Sequence, residues 1–114
     1  MEIKSESYSV TYDTNSETIS IQGTLRLSGT DDYAPIVTLL NEATDKAPPS
    51  LTLDLRNLEF LNSSGINVLS KFVIKVRQQK QMKLVVKGSK AILWQGKSLK
   101  NLERLMPGLL LELE

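Results

Sequence analysis

The chain has 114 residues, 40% of them hydrophobic and 24% charged, and a formal net charge of +1 at pH 7. This length fits a single domain over residues 1–114, and the near-neutral charge argues against nucleic acid as a partner, because nucleic-acid-binding domains usually carry a basic excess. No apolar run approaches the roughly 20 residues of a membrane span, and the N-terminal segment MEIKSESYSV lacks a signal peptide's apolar core. We therefore expect a cytoplasmic protein without membrane contact.

The chain contains neither cysteine nor histidine. Disulfides, thiolate nucleophiles and cysteine-ligated metals are therefore excluded, and a Ser-His-Asp triad cannot be built. The glycine-rich phosphate-binding patterns of the P-loop and of GxGxxG are missing too. We expect this chain to be a non-enzymatic protein without a metal or a cofactor.

The N-terminal part of the chain has the pattern of a β-hairpin. Tyr8–Asp13 and Glu17–Gln22 both alternate polar and apolar side chains at period two, and turn-forming residues separate them. Gly23 interrupts the second strand. A bulge at this glycine would let the strand pattern continue through Leu25 and Leu27.

A helix is predicted next, over Pro35–Thr44, because its apolar residues share one face and proline is tolerated in a first turn. Asp31 or Asp32 is the expected N-cap of this helix. The segment LTLDL (Leu51–Leu55) that follows is predicted to be a strand.

The C-terminal half alternates helices with strands. Apolar residues recur at helical spacing from Ser64 to Val76, Met82–Lys87 is strand-like, and Ala91–Met106 is a helical region with an expected break at Gly96. Leu109–Leu113 is predicted to be a closing strand. The order β-β-α-β-α-β-α-β indicates an α/β domain in which helices connect parallel strands.

The segment between the central strand and the second helix carries a recognisable motif. It resembles the STAS domain of bacterial anti-sigma factor antagonists, in which a strand ending in Asp-Leu is followed by a spaced apolar pair and an Asp-Ser-Ser-Gly-like loop that opens a helix. The resemblance extends to the order of elements and implies a STAS-like fold, a mixed β-sheet with helices packed on it. The matching residues are Asp54-Leu55, Leu58, Phe60 and Asn62-Ser63-Ser64-Gly65.

The resemblance also implies a function. In that family a serine kinase of the histidine-kinase-like ATPase superfamily, commonly also an anti-sigma factor, phosphorylates the first serine of the motif, and a serine phosphatase reverses this. Only the unphosphorylated antagonist binds the anti-sigma factor. This implies a monomeric bacterial signalling protein that regulates transcription by partner switching, phosphorylated at Ser63 with Ser64 as a secondary site. The partner-binding residues implied are Thr24, Arg26, Asn62, Ser63, Ser64, Gly65 and Asn67.

Two further features of the motif bear on its role. The family usually has an aspartate before the acceptor serine, whereas this chain has Asn62, which keeps a similar shape but lacks the charge. If Leu58 and Phe60 point inward at period two, Leu61 is turned toward the partner surface, and we include it there.

The serines also allow a plainer role. Ser63 or Ser64 is expected to be the N-cap of the second helix, and Gly65 is expected to leave the approach to both hydroxyls open. A phosphate at this place would face the positive end of the helix dipole, so it would leave the domain folded. A constitutive interaction module without phosphorylation and a small-ligand sensor are the alternative functions.

Overall fold

The structure is a computed structural model that describes the backbone of residues 1–114 and every side chain except that of Thr30. The described chain forms one seven-stranded sheet and three helices. The strands are β1 (Glu2–Lys4), β2 (Tyr8–Asp13), β3 (Thr18–Leu25), β4 (Ser50–Asp54), β5 (Leu58–Leu61), β6 (Lys83–Gly88) and β7 (Leu110–Leu113), and the helices are α1 (Gly29–Asp45), α2 (Ser63–Gln78) and α3 (Leu93–Leu105).

The sheet is mixed, with the strand order β1-β2-β3-β4-β6-β7. β1, β2 and β3 are antiparallel neighbours, while β3, β4, β6 and β7 are parallel. β5 follows β4 after a short turn and pairs in parallel with the last residues of β3. The three helical crossovers all advance in the same direction across the sheet, so right-handed connections place α1, α2 and α3 on one face. α2 packs between α1 and α3.

The period-two alternation of the strands separates a buried face of the sheet from an open one. The strand registers align Tyr12, Ile19, Leu53, Val86 and Leu111 in one row beneath the helices, and the first four of these side chains are buried. Burying an aliphatic side chain of this size contributes about 1.5–3 kcal/mol. The neighbouring row on the other face is polar and consists of Thr11, Ser20, Asp54, Lys87 and Glu112.

The predicted mixed α/β fold is confirmed, including the hairpin, the central strands and the closing strand. Two short strands, β1 and β5, were not predicted, because segments of three and four residues show too little periodicity. α3 runs without the predicted break at Gly96, since buried residues on either side of the glycine hold the helix. None of the described helices is long and apolar enough to cross a membrane.

The start of α1 also differs from the prediction. The helix begins at Gly29 instead of Pro35, and its N-cap is Ser28, so neither Asp31 nor Asp32 caps it. Both aspartates lie in the first turn, where carboxylates complement the helix dipole.

Candidate functional site

The N-terminus of α2 is capped by Asn62. Its side-chain Oδ1 accepts a hydrogen bond from the backbone N–H of Gly65 at 3.0 Å, and its backbone carbonyl accepts from Ile66 N–H at 3.0 Å. A cap requires an extended residue just before the helix, and Asn62 has φ −80° and ψ 175°. The prediction that Ser63 or Ser64 is the N-cap is therefore wrong, because both serines already lie inside the helix.

The same asparagine joins three segments of the fold. Its Oδ1 also accepts a hydrogen bond from the Tyr33 hydroxyl of α1 at 2.7 Å, and its Nδ2 donates to the Leu27 carbonyl at 2.8 Å. Desolvation by burial raises the pKa of Tyr33, so its hydroxyl stays a donor near neutral pH. An ionised aspartate could accept the bonds made to Oδ1 but could not donate to Leu27. Asn62 thus makes a hydrogen bond, to the Leu27 carbonyl, that an aspartate at this position could not make.

The two serines differ in their surroundings. Ser63 is exposed, and its hydroxyl makes no hydrogen bond to any residue that the structure describes. Ser64 is half-buried and lines a cleft of about 120 Å³ between α1 and α2, together with Tyr33, Asn67 and Lys71. As the first two residues of the helix, both serines have backbone N–H groups without an intrahelical acceptor. Ser63 is therefore the more accessible hydroxyl at the helix terminus.

Gly65 is buried at the contact between α2 and its neighbours. A Cβ atom at this position would overlap the Leu61 side chain and lie 2.6 Å from the Tyr33 hydroxyl oxygen. Gly65 was expected to leave the approach to both serine hydroxyls open. This expectation is wrong, because Gly65 faces the protein interior, where Leu61 and Tyr33 leave no room for a side chain. The glycine instead lets α2 pack closely on β5 and α1.

Leu61 is buried, with 5% of its surface exposed, while Phe60 is 38% exposed. The prediction that Leu61 belongs to the partner surface and Phe60 to the core is therefore wrong. The pairing of β5 with β3 explains the reversal: Leu58 lies opposite Gly23 and Phe60 opposite Thr24, so that Glu59 is skipped. This bulge shifts the alternation by one residue and reverses the faces of the residues after it.

The bulge brings Phe60 together with two predicted site residues. Thr24 is half-buried on the adjacent strand, and the exposed Arg26 places its guanidinium carbon 4.5 Å from the centre of the Phe60 ring. A hydrogen bond of 3.2 Å from Asn62 N–H to the Leu25 carbonyl connects this strand to the start of α2. Thr24, Arg26 and Phe60 thus lie where β3 and β5 end, next to the start of α2.

The comparisons with known proteins concern the fold. No family model matches the sequence, and no curated protein sequence matches it. A chain in the crystal structure of diguanylate cyclase SiaD in complex with its activator SiaC from Pseudomonas aeruginosa matches with a TM-score of 0.74 and 13% identity, over 100% of this chain and 99% of that chain. SiaC of Pseudomonas aeruginosa alone matches with a TM-score of 0.74 and 12% identity, over 100% and 96% of the two chains.

A third solved structure is an anti-sigma factor antagonist from Mycobacterium paratuberculosis, with a TM-score of 0.64, 20% identity, and coverage of 95% of this chain and 90% of that chain. The chain has a STAS-like fold. The fold that the NSSG motif implied is thereby confirmed, and the match extends to the N-terminal residues, where the sequence carries no specific motif.

In this STAS-like fold, the start of α3 holds the β4–β5 connection in place. Gln95 is fully buried; its Nε2 donates to the carbonyls of Leu55 at 2.7 Å and Leu58 at 2.9 Å, and its Oε1 accepts from Ser89 N–H at 2.8 Å. Trp94 Nε1 also donates to the Leu58 carbonyl, at 3.2 Å. Sequence reasoning missed Gln95, although its helical spacing to buried leucines on α3 marks it as an inward-facing polar residue.

An ion pair lies beside this connection in the STAS-like fold. Arg56 Nη2 is 2.8 Å from Asp54 Oδ2, and the Arg56 hydrogen bond lowers the pKa of Asp54 below its ordinary value. Among the described residues, no group of acidic side chains could hold a metal ion. The start of α2 offers the free Ser63 hydroxyl and backbone N–H groups, and the adjacent ends of β3 and β5 offer a mixed polar and aromatic surface. Together these features suit protein binding.

Proposed function

We propose that this protein is a regulatory binding protein, like the anti-sigma factor antagonists, whose contact with a protein partner is controlled by reversible phosphorylation of Ser63. The observation that carries the proposal is the division of roles at the start of α2. Asn62 caps the helix, so the exposed Ser63 hydroxyl is not needed for folding. A serine that is accessible and structurally dispensable can be modified without unfolding the domain.

The physics of a phosphate at Ser63 supports a reversible switch. Phosphorylation adds nearly two negative charges at neutral pH. At the first residue of α2 these charges would be stabilised by the helix dipole and by the N–H groups of Ser63 and Ser64. The fold would therefore tolerate the phosphate, while a partner covering this surface would have to displace its tightly bound water. Phosphorylation should weaken binding without changing the fold.

The partner surface we propose contains Ser64, Asn67, Thr24, Arg26 and, in place of the buried leucine predicted from the sequence, Phe60. Phe60 supplies an aromatic contact of the kind enriched at protein interfaces. The first partner we propose is a serine kinase of the histidine-kinase-like ATPase superfamily that doubles as an anti-sigma factor, with a serine phosphatase reversing the modification. The protein would act as a monomer in the cytoplasm, where ATP is available to the kinase.

A second partner class is a diguanylate cyclase. SiaC is named as the activator of the cyclase SiaD, and it matches this chain over its whole length with a higher TM-score than the anti-sigma factor antagonist does. Under this alternative, Ser63 would control the activation of a cyclase in place of the release of a sigma factor.

The experiment is peptide mass spectrometry of the protein from its native host, with and without a serine phosphatase inhibitor. We expect a phosphate on Ser63 that disappears in Ser63→Ala and persists in Ser64→Ala, the matched control. A phosphate on Ser64 alone would move the site by one residue and contradict our assignment. If no growth condition yields a phosphate, the protein is a constitutive module.

Binding assays then separate the two partner classes. Purified kinases of the stated superfamily and diguanylate cyclases from the same genome would be titrated with wild-type protein and with Ser63→Asp by calorimetry. We expect one class to bind wild type. Ser63→Asp should bind that class about tenfold more weakly, because the carboxylate adds a negative charge to the covered surface, although less than a phosphate would add. Equal binding of both forms would refute the switch.

A further inference from the structure

The exposed side of α3 carries a row of cations headed by an apolar side chain. Leu93, the first residue of the helix, is 95% exposed, and Lys97, Lys100 and Arg104 are exposed as well. At about 100° per residue these four positions fall within about 60° of one another, so they form one stripe along the helix. We call this row the α3 stripe.

The α3 stripe lies opposite the buried side of the helix. Gln95, Leu99 and Leu102 face the sheet, so the stripe points into solvent. None of its three cations is in an ion pair with any residue that the structure describes. A row of cations alone is most often a solvated face. Here Leu93, with almost its whole surface in water, adds an apolar contact at one end of the row.

The charge on the helical layer is not evenly distributed. The exposed charged residues of α1 include Asp31, Asp32, Glu42 and Asp45. Those of α3 are the three cations of the stripe and one carboxylate, Glu103, which lies beside the stripe. A chain of net charge +1 therefore presents a local positive field along α3. An acidic surface is the complementary partner.

We infer that the α3 stripe is a second docking surface, which binds an acidic helical segment of a partner protein with carboxylates spaced by helical turns and an apolar side chain that meets Leu93. From Leu93 to Arg104 the stripe is about 16 Å long, which matches three turns of a partner helix. This surface is separate from Ser63, and its use goes beyond the phosphorylation switch.

Two other occupants fit the observations less well. A membrane-bound helix buries a whole apolar face, but the apolar face of α3 already lies in the core. Nucleic-acid-binding domains carry a basic excess over a whole face, whereas this chain has a net charge of +1 and the stripe offers three cations. An acidic helical peptide can be bound by the three cations of the stripe and by one apolar contact with Leu93, all of which are present.

The test uses fluorescence anisotropy with a labelled synthetic helical peptide that carries glutamates at i and i+4 spacing and one leucine. The control peptide replaces every glutamate by glutamine. We expect the wild-type protein to bind the acidic peptide at least about tenfold more tightly than the neutral one at low salt, and the difference to vanish near 1 M salt, where the screening length is about 3 Å. Equal binding of both peptides would overturn the inference.

Matched protein variants locate the surface. The double variant Lys97→Glu/Lys100→Glu should weaken binding about tenfold or more, whereas Lys80→Glu/Lys83→Glu, which changes the net charge equally at exposed positions off the stripe, should weaken it less than about threefold. Leu93→Ser should cost about tenfold, the equivalent of burying one leucine. Equal losses in the two double variants would mean a non-specific charge effect and refute the site.

Two further controls complete the design. Ser63→Ala should bind the peptide with the affinity of wild type. This control tests the docking surface independently of the phosphorylation switch. Sedimentation of the wild-type protein at low salt tests whether α3 instead binds the acidic α1 face of a second copy. A dimer that Lys97→Glu/Lys100→Glu abolishes would replace the partner protein with self-association and overturn the proposed occupant.

Discussion

Replacing Asn62 by aspartate removes one of its side-chain hydrogen bonds and keeps the others. The bond to the β3–α1 connection is lost, whereas the bonds to α1 and within α2 can still form. The carboxylate can still accept from Gly65 N–H and from the Tyr33 hydroxyl, but it cannot donate to the Leu27 carbonyl, which lies 2.8 Å from Nδ2 in the native protein. A carboxylate oxygen would instead face that carbonyl oxygen. We expect Asn62→Asp to destabilise the protein.

The magnitude follows from the partly buried contact. Losing a net hydrogen bond costs about 0.5–1.5 kcal/mol, and leaving a partly buried carbonyl opposite an acceptor costs up to about 1–3 kcal/mol. The gain of a charge at the helix N-terminus returns about 0.3–1 kcal/mol, and aspartate caps a helix as well as asparagine does. The expected net loss for Asn62→Asp is about 1–2 kcal/mol. Asn62→Ala removes the cap as well and should lose about 1 kcal/mol more.

The assay is urea unfolding followed by the fluorescence of Trp94, the one tryptophan of the chain. The matched control is Asn67→Asp, which makes the same chemical change at an exposed position on the same helix and should alter the free energy of unfolding by less than about 0.5 kcal/mol. The expected order of stability is wild type, Asn62→Asp, then Asn62→Ala. If Asn62→Asp matches wild type, the Leu27 contact contributes nothing and our account of the asparagine fails.

Gly65→Ala should lower the free energy of unfolding by about 1–3 kcal/mol, because its Cβ overlaps the Leu61 side chain. The control Gly96→Ala, whose Cβ meets nothing within 4 Å, should raise stability by up to about 1 kcal/mol, and equal effects of the two alanines would contradict the packing argument. The Arg56 hydrogen bond lowers the pKa of Asp54 in the folded state. The ionised Asp54 therefore stabilises the fold above its unfolded-state pKa near 3.8, and this stabilisation is lost as the pH falls through the folded-state pKa. Unfolding measured from pH 7 to pH 2 should therefore show a smaller acid-induced loss in Asp54→Asn than in wild type, and identical profiles would show that the pair contributes nothing.

Much of the fold could be predicted from the sequence, because the signals involved are local. Apolar and polar side chains alternate in Tyr8–Asp13 and in Leu51–Leu55, and this alternation indicates strands with one buried face. The NSSG motif placed Ser63 at the start of a helix for a similar reason. Side chains that cap or open a helix act on backbone groups within a few residues.

The details of the candidate site depended on contacts between distant segments. The orientation of Phe60 and Leu61 is set by a bulge in the pairing of β5 with β3, which skips Glu59 and has no signature in four residues of sequence. The capping role of Asn62 is reinforced from Leu27, 35 residues earlier in the chain.

The sequence by itself determined the α/β alternation, the absence of histidine and cysteine chemistry, and the position of Ser63 near a helix terminus. Only the tertiary structure decided which residue caps that helix, which aromatic side chain is exposed beside it, and why Gly65 must lack a side chain. The physical reason is that secondary structure follows from periodicity within one segment, whereas these three outcomes follow from the close approach of β3, β5, α1 and α2.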